Sequence, residues 1–180
     1  MGLITLLTKK TALITATVLP ILIWLTVSLA RVPSAQGKQQ NIEQLYQQYA
    51  QEFPSVSGIS VAQLQQLQQQ GQKLTLVDVR SPHERAVSII PGAITTEEFE
   101  HNLKQYQDTT VVAYCTIGYR SGKYAQKMSQ QGIKILNLEG SLLAWSHLKG
   151  KLISDRGVTQ KIHVFSRRWQ LTARDYEAVW

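Results

Sequence analysis

The chain has 180 residues, 19 Lys+Arg against 12 Asp+Glu, and a net charge of +7; that length suits one domain plus an appendage. Hydrophobic residues make up 43% and charged residues 17%, which excludes a disordered chain. The single cysteine, Cys115, excludes a disulfide framework and a Cys-rich zinc site, His83, His101, His147 and His163 fall at no metal-ligand spacing, and no glycine run matches a nucleotide-phosphate fingerprint, so neither metal nor cofactor is expected.

The N-terminal part is basic and apolar. Residues 1–38 hold Lys9, Lys10, Arg31 and Lys38 and no acid, so +4 of the +7 sits there. The remainder carries an ordinary charge, and no nucleic-acid partner is expected. Residues 11–30 contain no charge, and fourteen of the twenty are Ala, Val, Ile, Leu or Trp. A helix of that length spans about 30 Å, the thickness of the hydrocarbon core. Signal peptides have the same polarity but an apolar stretch of roughly 7–15 residues. The segment is therefore read as an uncleaved single-pass anchor, with Lys9 and Lys10 cytoplasmic and the rest on the outer, periplasmic or lumenal, side. Ser28-Leu29-Ala30 is a small-x-small cleavage site, and the alternative is a signal peptide that leaves a secreted or periplasmic protein.

Residues 31–40 read as a polar linker. Ile42, Leu45, Tyr46, Tyr49 and Phe53 then form one apolar stripe, which predicts a helix ended by Pro54. The linker and this helix occupy residues 31–56. A domain follows over residues 57–150, and residues 151–180 form an extension. Ser60 and Gln63 make a capping box before a helix over Val61–Gln70, closed by Gly71. Strands are predicted at Leu74–Val79, Ala93-Ile94, Val111–Tyr114 and Ile135–Leu138, and helices at Glu97–Gln107, Ser121–Gln131 and Ser141–Leu148. Alternating strands and helices argue an α/β fold with a mostly parallel sheet covered on both faces. In the extension, Leu152-Ile153-Ser154 and Lys161–Phe165 are expected to pair across Asp155-Arg156-Gly157. Its aromatic and basic end, with Arg167, Arg168, Trp169, Tyr176 and Trp180, is read as packed on the domain in preference to lying at a lipid interface.

In open parallel sheets, ligands bind beyond the carboxyl ends of the strands. Two junctions there carry chemistry. At the first, Asp78 and Arg80 are expected to form a structural ion pair, with Glu84 as a further partner of Arg80. At the second, Cys115-Thr116-Ile117-Gly118-Tyr119-Arg120-Ser121 joins a strand to a helix. Gly118 permits a tight curve with amides turned inward, and Ser121 is a good N-cap. Such a loop on a helix N-terminus is an anion cradle that also lowers a thiol pKa, and the thiolate is the nucleophile. Arg120 adds a fixed positive charge, and Tyr119 is placed at the pocket rim.

These segments resemble the rhodanese-like domains. Leu76-Val77-Asp78-Val79-Arg80-Ser81-Pro82-His83-Glu84 and Ile90-Pro91-Gly92-Ala93 look like the family's first motif. Tyr114–Ser121 is similar to its active loop, and Gly140-Ser141 through Trp145 to its closing segment. The resemblance covers roughly residues 59–150. It implies a five-stranded parallel sheet flanked by helices, Cys115 as the residue that accepts sulfane sulfur as a persulfide, and amides from Thr116 to Arg120 that hold it. It further implies a sulfurtransferase that takes sulfur from a small donor such as thiosulfate or a persulfide and gives it to a thiol or cyanide. Two departures, Ser88-Ile89 where Gly-His is common and Arg85 where an aromatic is common, are assigned to the outer lining of the pocket. Four residues separate Cys115 from Arg120, whereas similar phosphatases and arsenate reductases have five, so the shorter loop favours a single sulfur atom over a tetrahedral oxyanion. The alternative function is a non-catalytic module that binds a partner or senses persulfides at the membrane.

Overall fold

The structure, a computed structural model, describes residues 34–180. The apolar segment 11–30, with Lys9 and Lys10, lies outside the described residues. Among the described residues no helix is long and apolar enough to cross a membrane.

Helix α1 (Ala35–Ala50) starts within the stretch expected as linker, because the Ser34 hydroxyl caps it by accepting from the Gly37 N–H at 3.1 Å. Its apolar stripe buries Ile42 and Tyr46. The helix stops before Phe53, which is buried from the loop that follows and packs against Gly122, where a Cβ would strike its ring.

The sheet has the five parallel strands that the resemblance implies. They are β1 (Gly58–Ile59), β2 (Leu74–Asp78), β3 (Ile94–Thr95), β4 (Thr110–Tyr114) and β5 (Leu136–Leu138), in the order β1-β5-β4-β2-β3. Alternate residues of the central strands enter two separate cores, as the period of two requires. Leu76, Val112 and Tyr114 pack with Ile42, Leu64 and Leu142 on one face, whereas Val77, Val111 and Ala113 pack with Phe99, Ala125 and Met128 on the other.

The helices fill in around it. Helix α2 (Val61–Gln69) carries the expected capping box between Ser60 and Gln63. Helix α3 (Pro82–Val87), which the sequence reading does not assign, has a second box between Ser81 and Glu84 with Pro82 in its first turn. The expected helix over Glu97–Gln107 is two pieces. Helix α4 (Thr96–His101) ends where the Asn102 side-chain amide donates to the Glu98 carbonyl at 3.0 Å, and a 3₁₀ turn over Leu103–Tyr106 follows. Helix α5 (Tyr119–Ser129) starts two residues earlier than expected, and α6 (Ser141–His147) closes the sheet region.

The extension packs on the domain, and its pairing differs from expectation. Strand β6 (Leu152–Ser154) turns back through Gly157 onto β7 (Gly157–Thr159), while β8 (Lys161–His163) pairs in parallel with β9 (Glu177–Val179). The turn at Asp155-Arg156-Gly157 joins only the residues that flank it. Ile162 and Val164 then lie fully buried against the α1 side of the sheet.

Candidate active site

The topology brings the two chemical junctions together. The chain crosses from β3 back over β2 to β4, so β2 and β4 are neighbours and Asp78 registers with Tyr114. The Val79 N–H donates to the Tyr114 carbonyl at 3.1 Å. Cys115 therefore emerges beside Arg80, at the carboxyl edge of the sheet where the strand order reverses.

Cys115 is 1% exposed and sits at the floor of its loop. The Gly118 N–H points at Cys115 Sγ from 3.1 Å. The Cys115 N–H donates to Ser141 Oγ at 3.1 Å, and its carbonyl accepts from the Leu142 N–H at 3.3 Å. The start of α6 thus holds the cysteine backbone from one side. Gly118 has φ of +102°, and a Cβ there would lie 2.7 Å from the Tyr46 ring, so only glycine serves at this turn. Asn137 on β5 fixes the loop: its Nδ2 donates to the Gly118 carbonyl at 2.8 Å, and its Oδ1 accepts from Ser121 Oγ at 2.6 Å. Ser121 is therefore not the N-cap. It is buried in the first turn of α5, and Gly118 holds the cap position. Burial raises the Cys115 thiol, but the Ser121 N–H, the Arg120 charge and the Gly118 N–H outweigh it, and the thiol lies below its ordinary value.

Arg120 projects from the first turn of α5, half-exposed, and is gripped by Glu84. Its Nη1 and Nη2 donate to the two carboxylate oxygens at 2.8 and 2.6 Å, and Nη2 lies 3.4 Å from Thr116 Oγ1. The same carboxylate accepts from the Ser81 N–H at 3.0 Å and the Ser81 hydroxyl at 2.9 Å. Burial raises the Glu84 carboxyl, yet Arg120 and Ser81 pull it down to about 2. Glu84 is thus a partner of Arg120 and not, as the sequence suggests, of Arg80.

Asp78 and Arg80 form the expected ion pair, both buried. Arg80 Nη2 donates to Asp78 Oδ2 at 2.6 Å and to the Ser88 carbonyl, and Arg80 Nε donates to Asp78 Oδ1 at 2.9 Å. The Tyr114 hydroxyl next to them accepts from the Ile90 N–H at 3.1 Å. This cluster ties β2, the α3–β3 loop and β4 into one rim. Ser88 and Arg85 belong to it through the Arg80 side chain and the Arg80 carbonyl, so neither lines the space above Cys115.

That space is a cavity of about 340 Å³ lined by Cys115, Thr116, Ile117, Tyr119 and Arg120, and by Tyr49, Phe165 and Trp169. The Tyr49 ring lies 5.1 Å from Tyr119 and 6.2 Å from Trp169, centroid to centroid. The Tyr119 hydroxyl donates to Glu52 at 3.1 Å. The sequence reading misses Tyr49, Phe165 and Trp169 as site residues. Tyr49 reads as one more position in an apolar stripe, and the aromatic tail carries no motif that aims it at Cys115. It also misses Ser141 and Asn137, which act on the loop from 26 and 19 residues away.

Residues 60–148 match the family model described as the Rhodanese-like domain. The chain is similar to YtwF of Bacillus subtilis, whose name assigns it provisionally to the sulfurtransferases: 31% identity over 93 residues, 50% of this chain and 90% of that protein. It is similar to a protein of Allochromatium vinosum named sulfurtransferase, at 33% identity over 86 residues, 46% of this chain and 80% of that one. A solved thiosulfate sulfurtransferase of Pseudomonas aeruginosa superposes with a TM-score of 0.51 over 73% of this chain and 26% of its own, at 17% identity, a likeness of fold alone. The family-model span contains the whole Cys115 loop and leaves out Tyr49, Phe165 and Trp169.

Proposed function

The chain belongs to the rhodanese-like family, and we propose that it is a sulfurtransferase that carries sulfane sulfur as a persulfide on Cys115. The observation that carries this reading is the Gly118 N–H aimed at Cys115 Sγ from 3.1 Å, in a loop whose remaining amides open helix α5. The names of the two relatives support the reaction class.

The Cys115 thiolate attacks the outer sulfur of a donor such as thiosulfate or an organic persulfide. The donor's S–S bond breaks, and its electron pair leaves with sulfite or with a thiolate. The new outer sulfur carries the negative charge, and the loop N–H groups and the positive end of α5 stabilise it. A thiol or cyanide then attacks that sulfur, and Cys115 leaves as a thiolate. Arg120 adds positive charge beside both states, held in place by Glu84. Four residues between Cys115 and Arg120 leave room for one sulfur and argue against phosphate or arsenate chemistry.

The test uses the full chain with thiosulfate and cyanide. Thiocyanate should form, mass spectrometry should find one added sulfur on the Cys115 peptide, and Cys115→Ser should abolish both. Thiocyanate production by Cys115→Ser at the parent rate would overturn the reading. We further propose that residues 11–30 anchor the chain with this domain on the outer side of the membrane.

A further inference from the structure

We infer that the physiological sulfur acceptor is a thiol carried on a flat apolar body, an aromatic or similarly planar group, recognised by Tyr49, Phe165 and Trp169. This inference rests on the sulfurtransferase reading above and deepens it.

Size is the first argument. The loop amides hold a single sulfur atom, while the cavity above it measures about 340 Å³. That volume is at the lower end of small-molecule pockets, which are mostly apolar with a few placed polar groups. The space beyond the sulfur must be filled by the rest of a substrate or by water.

Wall chemistry is the second. Tyr49 stands tilted at 56° to Tyr119 and within 27° of parallel to Trp169, so three rings enclose one side of the cavity. Ile117 is buried beneath them, and Phe165, at 76% exposure, leaves most of its ring uncovered beside the opening. Planar groups stack on such rings at centroid distances of about 4.5–7 Å.

Charge is the third. Two cations near the opening are already matched: Arg120 Nη1 and Nη2 are on Glu84, and Lys123 lies 3.2 Å from Glu52. The exposed Arg167 and Arg168, between Phe165 and Trp169, are in no ion pair among the described residues, and Arg167 lies over the Trp180 ring. A carrier with several charges would lose hydration against the ring walls. A neutral flat carrier loses little water that it needs.

The transfer balances without an added oxidant or reductant. The acceptor thiolate forms a bond to the outer sulfur of the Cys115 persulfide, the Cys115 S–S bond breaks, and its electron pair returns to Cys115 as thiolate. The acceptor leaves as its own persulfide anion.

The experiment loads the full chain with thiosulfate and offers cyanide, 2-mercaptoethanol or benzyl mercaptan, the two thiols being of similar acidity. The KM for benzyl mercaptan should lie about tenfold below that for 2-mercaptoethanol. In Trp169→Ala and in Phe165→Ala that ratio should fall toward one, and in Val158→Ala, on the exposed β6–β7 hairpin, it should keep the parent value. Phe165→Ala decides the matter if Trp169→Ala fails to fold, because the exposed Phe165 ring takes little part in the core. Equal KM values for the two thiols in a parent that still makes thiocyanate would overturn the inference, and so would a ratio unmoved in Phe165→Ala. No thiocyanate from the parent would instead overturn sulfur transfer itself, and the inference with it.

Discussion

Arg120 and Glu84 form the pair on which the loop's electrostatics turn. The guanidinium fork matches both carboxylate oxygens, and Ser81 supplies two more donors, so Glu84 stays ionised despite its burial. Arg120→Ala should slow sulfur transfer by about tenfold or more and raise the pH midpoint of Cys115 alkylation. Arg120→Lys should recover only part of the rate, since a lysine lacks the planar fork. A full rate and an unmoved midpoint in Arg120→Ala would show that the amides suffice. Glu84 also sets a pH dependence. Its carboxyl is held at about 2 in the folded protein against an ordinary 4.5. A depressed carboxyl stabilises the fold fully above the ordinary value, and that contribution is lost as the pH falls from 4.5 toward about 2. Glu84→Gln should therefore be less stable than the parent at pH 7, with a smaller further loss across that acid range, as urea unfolding at several pH values would show. The sequence suggests Glu84 for Arg80 because the two lie only four positions apart. The real partner is 36 residues away, and only the β2–β4 register brings the two motifs side by side.

The elements that read well from the sequence have local causes. The apolar runs of β2 and β4 and the Ser60–Gln63 box of α2 are visible in windows of a few residues. The starts of α1 and α5 are not. The first depends on a serine cap inside a polar stretch, and the second on Gly118 taking a positive φ while Asn137, on another strand, holds its carbonyl. The pairing of β8 with β9 spans a long connection and has no turn signature at all. The extension is nevertheless part of the core. Leu152, Ile162 and Val164 are almost fully buried, Ile153 exchanges two backbone hydrogen bonds with Ile89 at 2.8 and 3.0 Å, and the Tyr176 hydroxyl donates to the Gly150 carbonyl at 2.7 Å. Each such aliphatic side chain is worth about 1.5–3 kcal/mol when buried, against a total stability of about 5–15 kcal/mol for a domain. A chain ended after Gly150 should lose most of its cooperative thermal transition and bind a hydrophobic dye. An unchanged melting temperature would mean that the family-model span folds without its extension.

The candidate site draws on more of the chain than the family span. The family-model segment supplies the thiol, the amides and the Arg120–Glu84 pair, while α1 and the extension supply ring walls and meet each other where Lys38 Nζ donates to the Thr172 carbonyl at 3.2 Å. An apolar mouth over a reactive thiol has a particular consequence if the domain faces an oxidising compartment. Cys115 is the chain's one cysteine, so no intramolecular disulfide can form, and its resting state is a thiol, a persulfide or a mixed disulfide with another molecule. Its 1% exposure at the cavity floor restricts which thiols can reach it, and the walls then act as the filter against bulky or highly charged ones. That role requires the proposed outer location, for which the twenty uncharged residues at 11–30 and the lysines before them are the argument. A small membrane-impermeant thiol reagent, first shown to label the purified folded protein, should label Cys115 in intact cells, or in spheroplasts where an outer membrane intervenes. Labelling only after lysis would place the domain in the cytoplasm and remove the oxidising compartment from the argument. A mature N-terminus at Arg31 would keep the location and replace the anchor with a cleaved signal.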